Sequence, residues 1–94
     1  MSAPLIEAQR AVRIANKYGL HARPAAEFVK TANRFGCDIF VAKEDLEVNG
    51  KSIMGMMMLA AECGSEITIR ATGNESAAAV DALVALVEHG FGEA

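Results

Sequence analysis

Alternating apolar and polar positions mark the strand segments of the chain. Residues 11–14 alternate in the way of a half-buried strand, and residues 67–70 repeat that pattern until Gly73 stops it. The apolar run 37–42 and the short segment 46–49 predict two further strands. Because only a tight turn separates these two, we expect them to pair antiparallel.

A helical spacing of apolar residues follows the first strand. Its buried face comprises Ala25, Phe28, Val29, Ala32 and Phe35. Proline is tolerated only in the first turn of a helix, since it lacks an N–H and its φ is already set. Pro24 therefore requires the helix to begin within a residue or two of His21, and we expect Gly36 to end it.

Two more helices are predicted in the second half of the chain. Ser52 opens a Met-rich helix that should run through about Ala61. Asn74 is placed to cap the last helix. The apolar stripe of that helix consists of Val80, Leu83, Val84 and Val87.

The predicted order is strand, helix, strand, strand, helix, strand, helix. A single sheet with helices over one face buries all three apolar helix faces, which gives an α/β two-layer sandwich. The chain has 94 residues, so residues 1–94 should form one domain, with 1–6 as a loose lead-in.

Composition narrows the classes of function. The net charge is −3 and there is no basic tract, so a nucleic-acid interface is not expected. No apolar run reaches a membrane-spanning length and no signal peptide is visible, so a cytoplasmic protein without a membrane segment is expected. Cys37 and Cys63 fit neither a zinc site nor a disulfide framework. We expect both to be reduced and packed as small apolar residues, and we expect no metal and no cofactor.

His21 is the strongest candidate for chemistry, because it lies just ahead of a predicted helix start. Helix N-termini carry unpaired N–H groups and a partial positive charge, which together bind anions. A phosphate on the His21 ring would point its oxygens at the N–H groups of Ala22 and Arg23, with the Arg23 guanidinium as a further donor. On local chemistry alone, a capping or solvated loop histidine is the more common explanation of a histidine before a helix. Glu27 is the nearest carboxylate in the sequence, and no base that could activate water is evident.

The Met-rich helix offers a second group of candidates. Ser52 fits a helix N-cap, and it also fits a phosphorylation site, since a phosphate at a helix start adds charge that the fold tolerates. The residues 53–59 are apolar all round, so some of them must be exposed. They form either a loosely packed core helix or an adaptable surface for binding partners. His89, the other histidine, fits the negative end of the last helix.

Two motifs resemble those of a known family. The segment Gly19-Leu20-His21-Ala22-Arg23-Pro24-Ala25 resembles the active-site signature of HPr, the histidine phosphocarrier of the bacterial phosphoenolpyruvate-dependent sugar phosphotransferase system. The segment Lys51-Ser52-Ile53-Met54-Gly55 resembles the second signature of that family. The separation between the motifs and the order of the elements match as well, and the likeness covers about residues 9–93.

The resemblance implies an α/β (α+β) open-faced two-layer β-sandwich, a four-stranded antiparallel sheet covered on one face by three helices. It implies a phosphoryl carrier rather than an enzyme, and a monomer. His21 would accept a phosphoryl group on Nδ1 from phosphorylated enzyme I and pass it to a IIA domain of a sugar permease, with Arg23 stabilising the phosphate. Ser52 would be the site of an HPr kinase/phosphorylase. The docking surface would be formed by Ile53, Met54 and Met57.

Three alternatives remain open from the sequence. One is a carrier of a nitrogen-regulatory pathway. Another is a purely regulatory HPr-like module that acts through Ser52 and the Met-rich surface. A small phosphate-ester or acyl-phosphate hydrolase is the third, although no second acid or base is evident for it. The departures from the family lie at residues 1–6 and at Asn16-Lys17-Tyr18.

Overall fold

The computed structural model describes residues 6–93, and in them four strands and three α-helices follow the predicted order. The elements are β1 (Glu7–Arg13), α1 (Ala22–Ala32), β2 (Asp38–Lys43), β3 (Leu46–Asn49), α2 (Ile53–Met58), β4 (Glu66–Thr72) and α3 (Ser76–Glu88). A short 3-10 turn over Gly90–Gly92 follows α3. Residues 1–5, most of the predicted lead-in, lie outside the described residues.

The four strands form one antiparallel sheet in the order β1-β4-β2-β3. The predicted antiparallel pairing of β2 with β3 is therefore confirmed, and β4 lies between β1 and β2. Pairing of β1 with β4 joins Glu7–Arg13 to Thr72–Glu66 across most of the length of the chain. The architecture is the predicted open-faced two-layer sandwich.

The core lies between the sheet and its helical layer. Inward-facing strand residues such as Ile39, Val41, Ile67 and Ile69 are almost fully buried, as is Phe28 of α1. The predicted apolar stripe of α3 is buried in full, at Val80, Leu83, Val84 and Val87. These elements form because the strands β2 and β4 alternate buried and accessible residues and each long helix carries one apolar face, so a single layer of helices suffices to exclude water from one side of the sheet.

The other face of the sheet is open to solvent and carries a polar cluster. The guanidinium of Arg70 on β4 lies 4.4 Å from the centre of the Phe40 ring. It also pairs with Glu47 at 3.0 Å and Glu7 at 3.3 Å. All four strands therefore contribute a charge or a ring to one cross-strand cluster.

Both helices α1 and α2 end earlier than the sequence indicated. After Ala32 the backbone switches to three-residue hydrogen bonding, from Arg34 to Thr31 and from Phe35 to Ala32, so Gly36 lies beyond the helix. The α2 helix tightens in the same way after Met58, where Leu59 N–H donates to Met56 and Ala60 adopts a φ of 50°. The predicted extension to Ala61 was wrong for this reason.

The cap predicted for α3 was also wrong. Glu75, with a φ of 68°, occupies the N-cap position and makes no side-chain cap hydrogen bond, so Asn74 lies one residue outside the helix.

Cys37 is buried as expected, but Cys63 is exposed. In residues 6–93 no helix has the length and apolarity that crossing a bilayer requires. The same residues contain no cluster of metal-ligating side chains.

Candidate functional site

His21 is the N-cap residue of α1, as its position before Pro24 predicted. Its backbone is extended, its side chain makes no cap hydrogen bond, and its carbonyl accepts the first helical bond from Ala25 at 3.0 Å. The N–H groups of Ala22 and Arg23 precede that first bond and so remain available to an anion. The imidazole is 41% exposed, which leaves room for a group on one of its nitrogens.

A carboxylate that no sequence pattern predicts contacts the His21 ring. Nε2 of His21 lies 3.1 Å and 3.0 Å from the two carboxylate oxygens of Glu93. Glu27 is the nearest carboxylate along the sequence, but it is Glu93 that contacts the ring, because distance along the chain does not reveal what the fold brings together. No local sequence pattern marks Glu93, which lies beyond the motifs that carry His21 and Ser52 and 72 residues from His21.

Asn16 connects Glu93 to the loop that carries His21. The Asn16 side chain is buried and donates from Nδ2 to the Gly19 carbonyl at 2.7 Å and to Glu93 Oε1 at 2.9 Å. Gly19 N–H in turn donates to the Asn16 carbonyl at 3.2 Å. The pKa of Glu93 is lowered by its hydrogen bond to His21, by its hydrogen bond to Asn16 and by the nearby charge of Arg23.

A left-handed turn delivers Glu93 to this position. Gly90, Phe91 and Gly92 have φ values of 63°, 58° and 74°. Phe91 is the exception to the glycine preference for this region, and its ring is buried, at 6% exposure. Burial of the ring offsets the backbone strain, so the chain returns toward the start of α1 instead of extending into solvent.

The loop before His21 rests on the connection between α2 and β4. Leu20 is buried, and its N–H donates to the Ala61 carbonyl at 2.9 Å. Gly19 has a φ of 66°, and a Cβ there would lie 2.3 Å from the same carbonyl oxygen. A glycine is therefore required both by the backbone conformation and by the close approach of the two loops.

Three further side chains border the site. Arg23, in the first turn of α1, is exposed and makes no salt bridge within residues 6–93. The Tyr18 ring, 73% exposed, stands edge-on to the His21 ring with 6.4 Å between centroids. The Lys17 ammonium lies 5.3 Å from the centre of the Tyr18 ring. Arg23 and Lys17 thus bring two positive charges to the border of the site, which suits an anionic substituent.

Ser52 occupies the N-cap of α2, as predicted. Its Oγ accepts from Gly55 N–H at 3.0 Å, and the residue is half-buried. Asn49 and Lys51 order the preceding turn, through a bond from Lys51 N–H to Asn49 Oδ1 at 2.9 Å and one from Lys51 Nζ to the Phe35 carbonyl at 2.7 Å. The Ser52 hydroxyl is therefore held at the surface by an ordered turn.

The α2 helix divides its apolar residues between core and solvent. Met56 is fully buried, and Leu59 just past the helix is 3% exposed. The exposed set is Ile53 at 42%, Met54 at 71%, Met57 at 41% and Met58 at 64%. All three residues of the expected docking surface belong to it, and Met58 extends it. His89, by contrast, is the exposed C-cap residue of α3.

The fold and the site together define a class: a small open-faced sandwich that presents one histidine at the exposed start of a helix. The family model described as the PTS HPr component phosphorylation site matches residues 8–89. The chain belongs to the HPr family of phosphocarrier proteins of the phosphotransferase system.

Relatives agree along almost their whole length. The chain is 46% identical over 85 residues to the phosphocarrier protein HPr of Neisseria meningitidis serogroup A, which covers 90% of this chain and 96% of that protein. It is 48% identical over 80 residues to the HPr-like protein Crh of Bacillus subtilis, covering 85% and 94%. A crystal structure of HPr from Thermoanaerobacter tengcongensis matches with a TM-score of 0.89 at 46% identity, covering 93% of this chain and 98% of that one.

Proposed function

We propose that this protein is a phosphoryl carrier that accepts a phosphoryl group on His21 Nδ1 from phosphorylated enzyme I and passes it to a IIA domain in the cytoplasm. The observation that carries the proposal is the exposed His21 ring at the open N-terminus of α1. An incoming phosphoryl group there meets the free N–H groups of Ala22 and Arg23 and the positive end of the helix.

The protein acts stoichiometrically, as a carrier and not as an enzyme. A carrier must hold its phosphoryl group without hydrolysing it, and the exposed shallow position of His21 suits that task. Glu93 is the carboxylate at the site, but it is engaged by Nε2 of the ring and by Asn16, so it is not placed as a free base for water. The partners supply the in-line geometry and the further charge that transfer requires.

Labelling with enzyme I and phosphoenolpyruvate tests the proposal. We expect one acid-labile phosphate per chain, lost in His21→Ala and retained in His89→Ala. His89 is a matched control because it is the other histidine, is also exposed, and lies at the far end of α3. Labelling that persists in His21→Ala would remove His21 as the acceptor.

Arg23 stabilises the phosphoryl group on His21 in this proposal. The guanidinium lies in the first turn of α1, and its charge acts on Glu93 beside the ring. We expect Arg23→Ala to slow transfer to a IIA domain by about tenfold or more, as for the loss of one charge-assisted hydrogen bond. Arg34→Ala, which removes an exposed arginine just past the end of α1, should transfer at the parent rate.

The exposed residues Ile53, Met54 and Met57 form the docking surface for enzyme I and IIA domains. Flexible thioether side chains can adapt to more than one partner. Met54→Asp should raise the KM for both partners while leaving the fold intact, because Met54 is 71% exposed. Ala78→Asp places the same charge on the exposed side of α3 and serves as the control. Equal KM values for the two variants would contradict the assignment.

Regulation at Ser52 is a second proposed function, favoured by the similarity to Crh and by the surface position of the Ser52 hydroxyl. Phosphorylation by an HPr kinase/phosphorylase would add about two negative charges beside the docking surface. Incubation with such a kinase and ATP should label the parent but not Ser52→Ala. Ser52→Asp should change the affinity for a IIA domain or a regulator, and an unchanged affinity for every partner would exclude this role.

A purely regulatory or nitrogen-pathway protein is distinguished by the source of its phosphate. A purely regulatory protein would be phosphorylated at Ser52 and not at His21, whereas a nitrogen-pathway carrier would take its phosphate from a donor other than the sugar-pathway enzyme I. The expectation of a monomer stays a prediction, which light scattering during size-exclusion chromatography tests.

A further inference from the structure

The contact between Glu93 and the His21 ring assigns a role to the C-terminal segment. Resting on the proposed phosphoryl transfer at His21, we propose that Glu93 is a positioning residue. It keeps the imidazole in the tautomer with its proton on Nε2, so that the lone pair lies on Nδ1.

The direction of the hydrogen bond carries the inference. Nε2 faces both carboxylate oxygens of Glu93, at 3.1 Å and 3.0 Å. An ionised carboxylate has no proton to donate, so Nε2 must be the donor. A neutral imidazole carries only one N–H, and therefore Nδ1 is left as the unprotonated nitrogen. This is the nitrogen that must attack phosphorus.

Glu93 is itself held in place by three independent features. Its side chain is only 14% exposed. Asn16 Nδ2 donates to Oε1 at 2.9 Å and fixes the carboxylate from the side of the loop. The buried Phe91 ring anchors the left-handed turn that precedes it. A tail with no function at the site would not need a strained turn to bring its carboxylate to an exposed ring.

This tautomer suits both directions of transfer without any proton entering or leaving. When His21 accepts, the Nδ1 lone pair forms the N–P bond, and the electron pair of the donor's N–P bond returns to the donor nitrogen. When His21 donates, its N–P bond breaks and that pair returns to Nδ1. The proton stays on Nε2 throughout, so the ring departs as neutral imidazole and not as an imidazolate anion. Glu93 balances the positive charge of the phosphorylated ring in between.

The opposite tautomer would obstruct the same reaction. With its proton on Nδ1, the ring has no lone pair there and must first exchange the proton with water. A free imidazole exchanges between the two forms, so part of an untethered population would be in the unreactive form. Glu93 therefore raises the transfer rate by increasing the fraction of His21 rings in the reactive tautomer and by orienting the ring, which is the effect of a positioning residue.

Nitrogen-15 NMR of the His21 ring in the free protein tests the proposal directly. At a pH where the ring is neutral, the parent should show a protonated Nε2 and an unprotonated Nδ1. Glu93→Ala should shift both nitrogens toward the averaged values of a mixture of tautomers. Glu93→Gln should keep the parental pattern, because its amide oxygen can still accept from Nε2 and Asn16. Glu88→Ala, which removes an exposed carboxylate from the last turn of α3, is the matched control.

Transfer rates supply the second readout. Glu93→Ala should reduce the rate of phosphoryl transfer through His21 by about threefold to tenfold, the effect of losing one hydrogen bond of ordinary strength, and Glu93→Gln should restore most of it. A parental tautomer in Glu93→Ala would overturn the inference while leaving phosphorylation at His21 untouched. Failure to label His21 at all would instead overturn the proposed function, since the NMR measurement needs no partner.

Discussion

Gly19 permits the sharpest energetic test of the site, because two separate constraints apply to it. Its φ is 66°, and a Cβ would meet the Ala61 carbonyl oxygen at 2.3 Å and the Glu62 Cα at 3.0 Å. Gly64, with a φ of 88°, has nothing within 4 Å of its Cβ position. Gly36 has neither a positive φ nor a neighbour at that distance. Alanine at these three positions therefore separates backbone strain from steric clash.

The expected loss in the free energy of unfolding increases from Gly36→Ala through Gly64→Ala to Gly19→Ala. Gly36→Ala should be neutral or stabilise by up to about 1 kcal/mol, through a less flexible unfolded chain. Gly64→Ala should destabilise by about 1–2 kcal/mol, the cost of a left-handed L-residue. Gly19→Ala carries that cost and must also displace the Ala61 carbonyl, weakening the bond from Leu20 N–H at 2.9 Å. Its total should reach about 3–5 kcal/mol.

Urea denaturation followed by circular dichroism measures all three differences. A folded fraction of Gly19→Ala should also accept phosphate more slowly, because Gly19 sets the path of the chain into His21. The reasoning would be refuted by a Gly19→Ala protein within about 0.5 kcal/mol of Gly64→Ala, since the carbonyl contact would then contribute nothing.

Three further outcomes are expected. Because the pKa of Glu93 is lowered in the folded protein, the contacts of its carboxylate stabilise the fold in full above the unfolded pKa of 4.5, and this stabilisation is lost as the pH falls through the lower pKa of the folded state. The Phe91 ring signals in NMR should then report release of the C-terminal segment. Release already at neutral pH would contradict this. Ser52→Ala should lower stability by about 1 kcal/mol by removing the cap of α2, measured by thermal unfolding, whereas Ser52→Asp should restore most of it. Phe91→Ala should destabilise the fold by about 3 kcal/mol or more, through loss of the buried ring. Phe91→Gly should destabilise it less than Phe91→Ala, because glycine adopts the positive φ of this position without strain. The reverse order in urea denaturation would contradict the strain argument.

The fold could be predicted from the sequence because the buried faces of its strands and helices follow a local periodicity of apolar residues. Ile67 and Ile69 alternate on β4, and Val80, Leu83 and Val84 follow the helical spacing on α3, so element type and order were predictable. Element ends were less so. The last turns of α1 and α2 tighten through bonds to the third preceding residue, an event that no residue type in those segments signals.

Only the part of the site that is local in the sequence could be predicted. His21, Ala22 and Arg23 are adjacent in the sequence, and Pro24 must lie in the first turn of the helix. Local rules therefore locate the anion-binding end of the helix. Glu93 lies 72 residues from His21, and only the complete fold brings it there. The early part of β1 escaped prediction as well, since its pairing with β4, and not any alternation of its own, makes it a strand.

The position of β4 has a consequence for the order of events on the ribosome. The strand is inserted between β1 and β2, so neither of them has its main partner until residues 66–72 have been synthesised. Until then only the β2–β3 hairpin can form, and β1 has no partner strand. Such non-local pairing slows folding and leaves strand edges open to another chain. We therefore expect nascent chains arrested before β4 to be the species most prone to aggregation, while the full chain, with β4 and α3 both in place, folds as one cooperative unit.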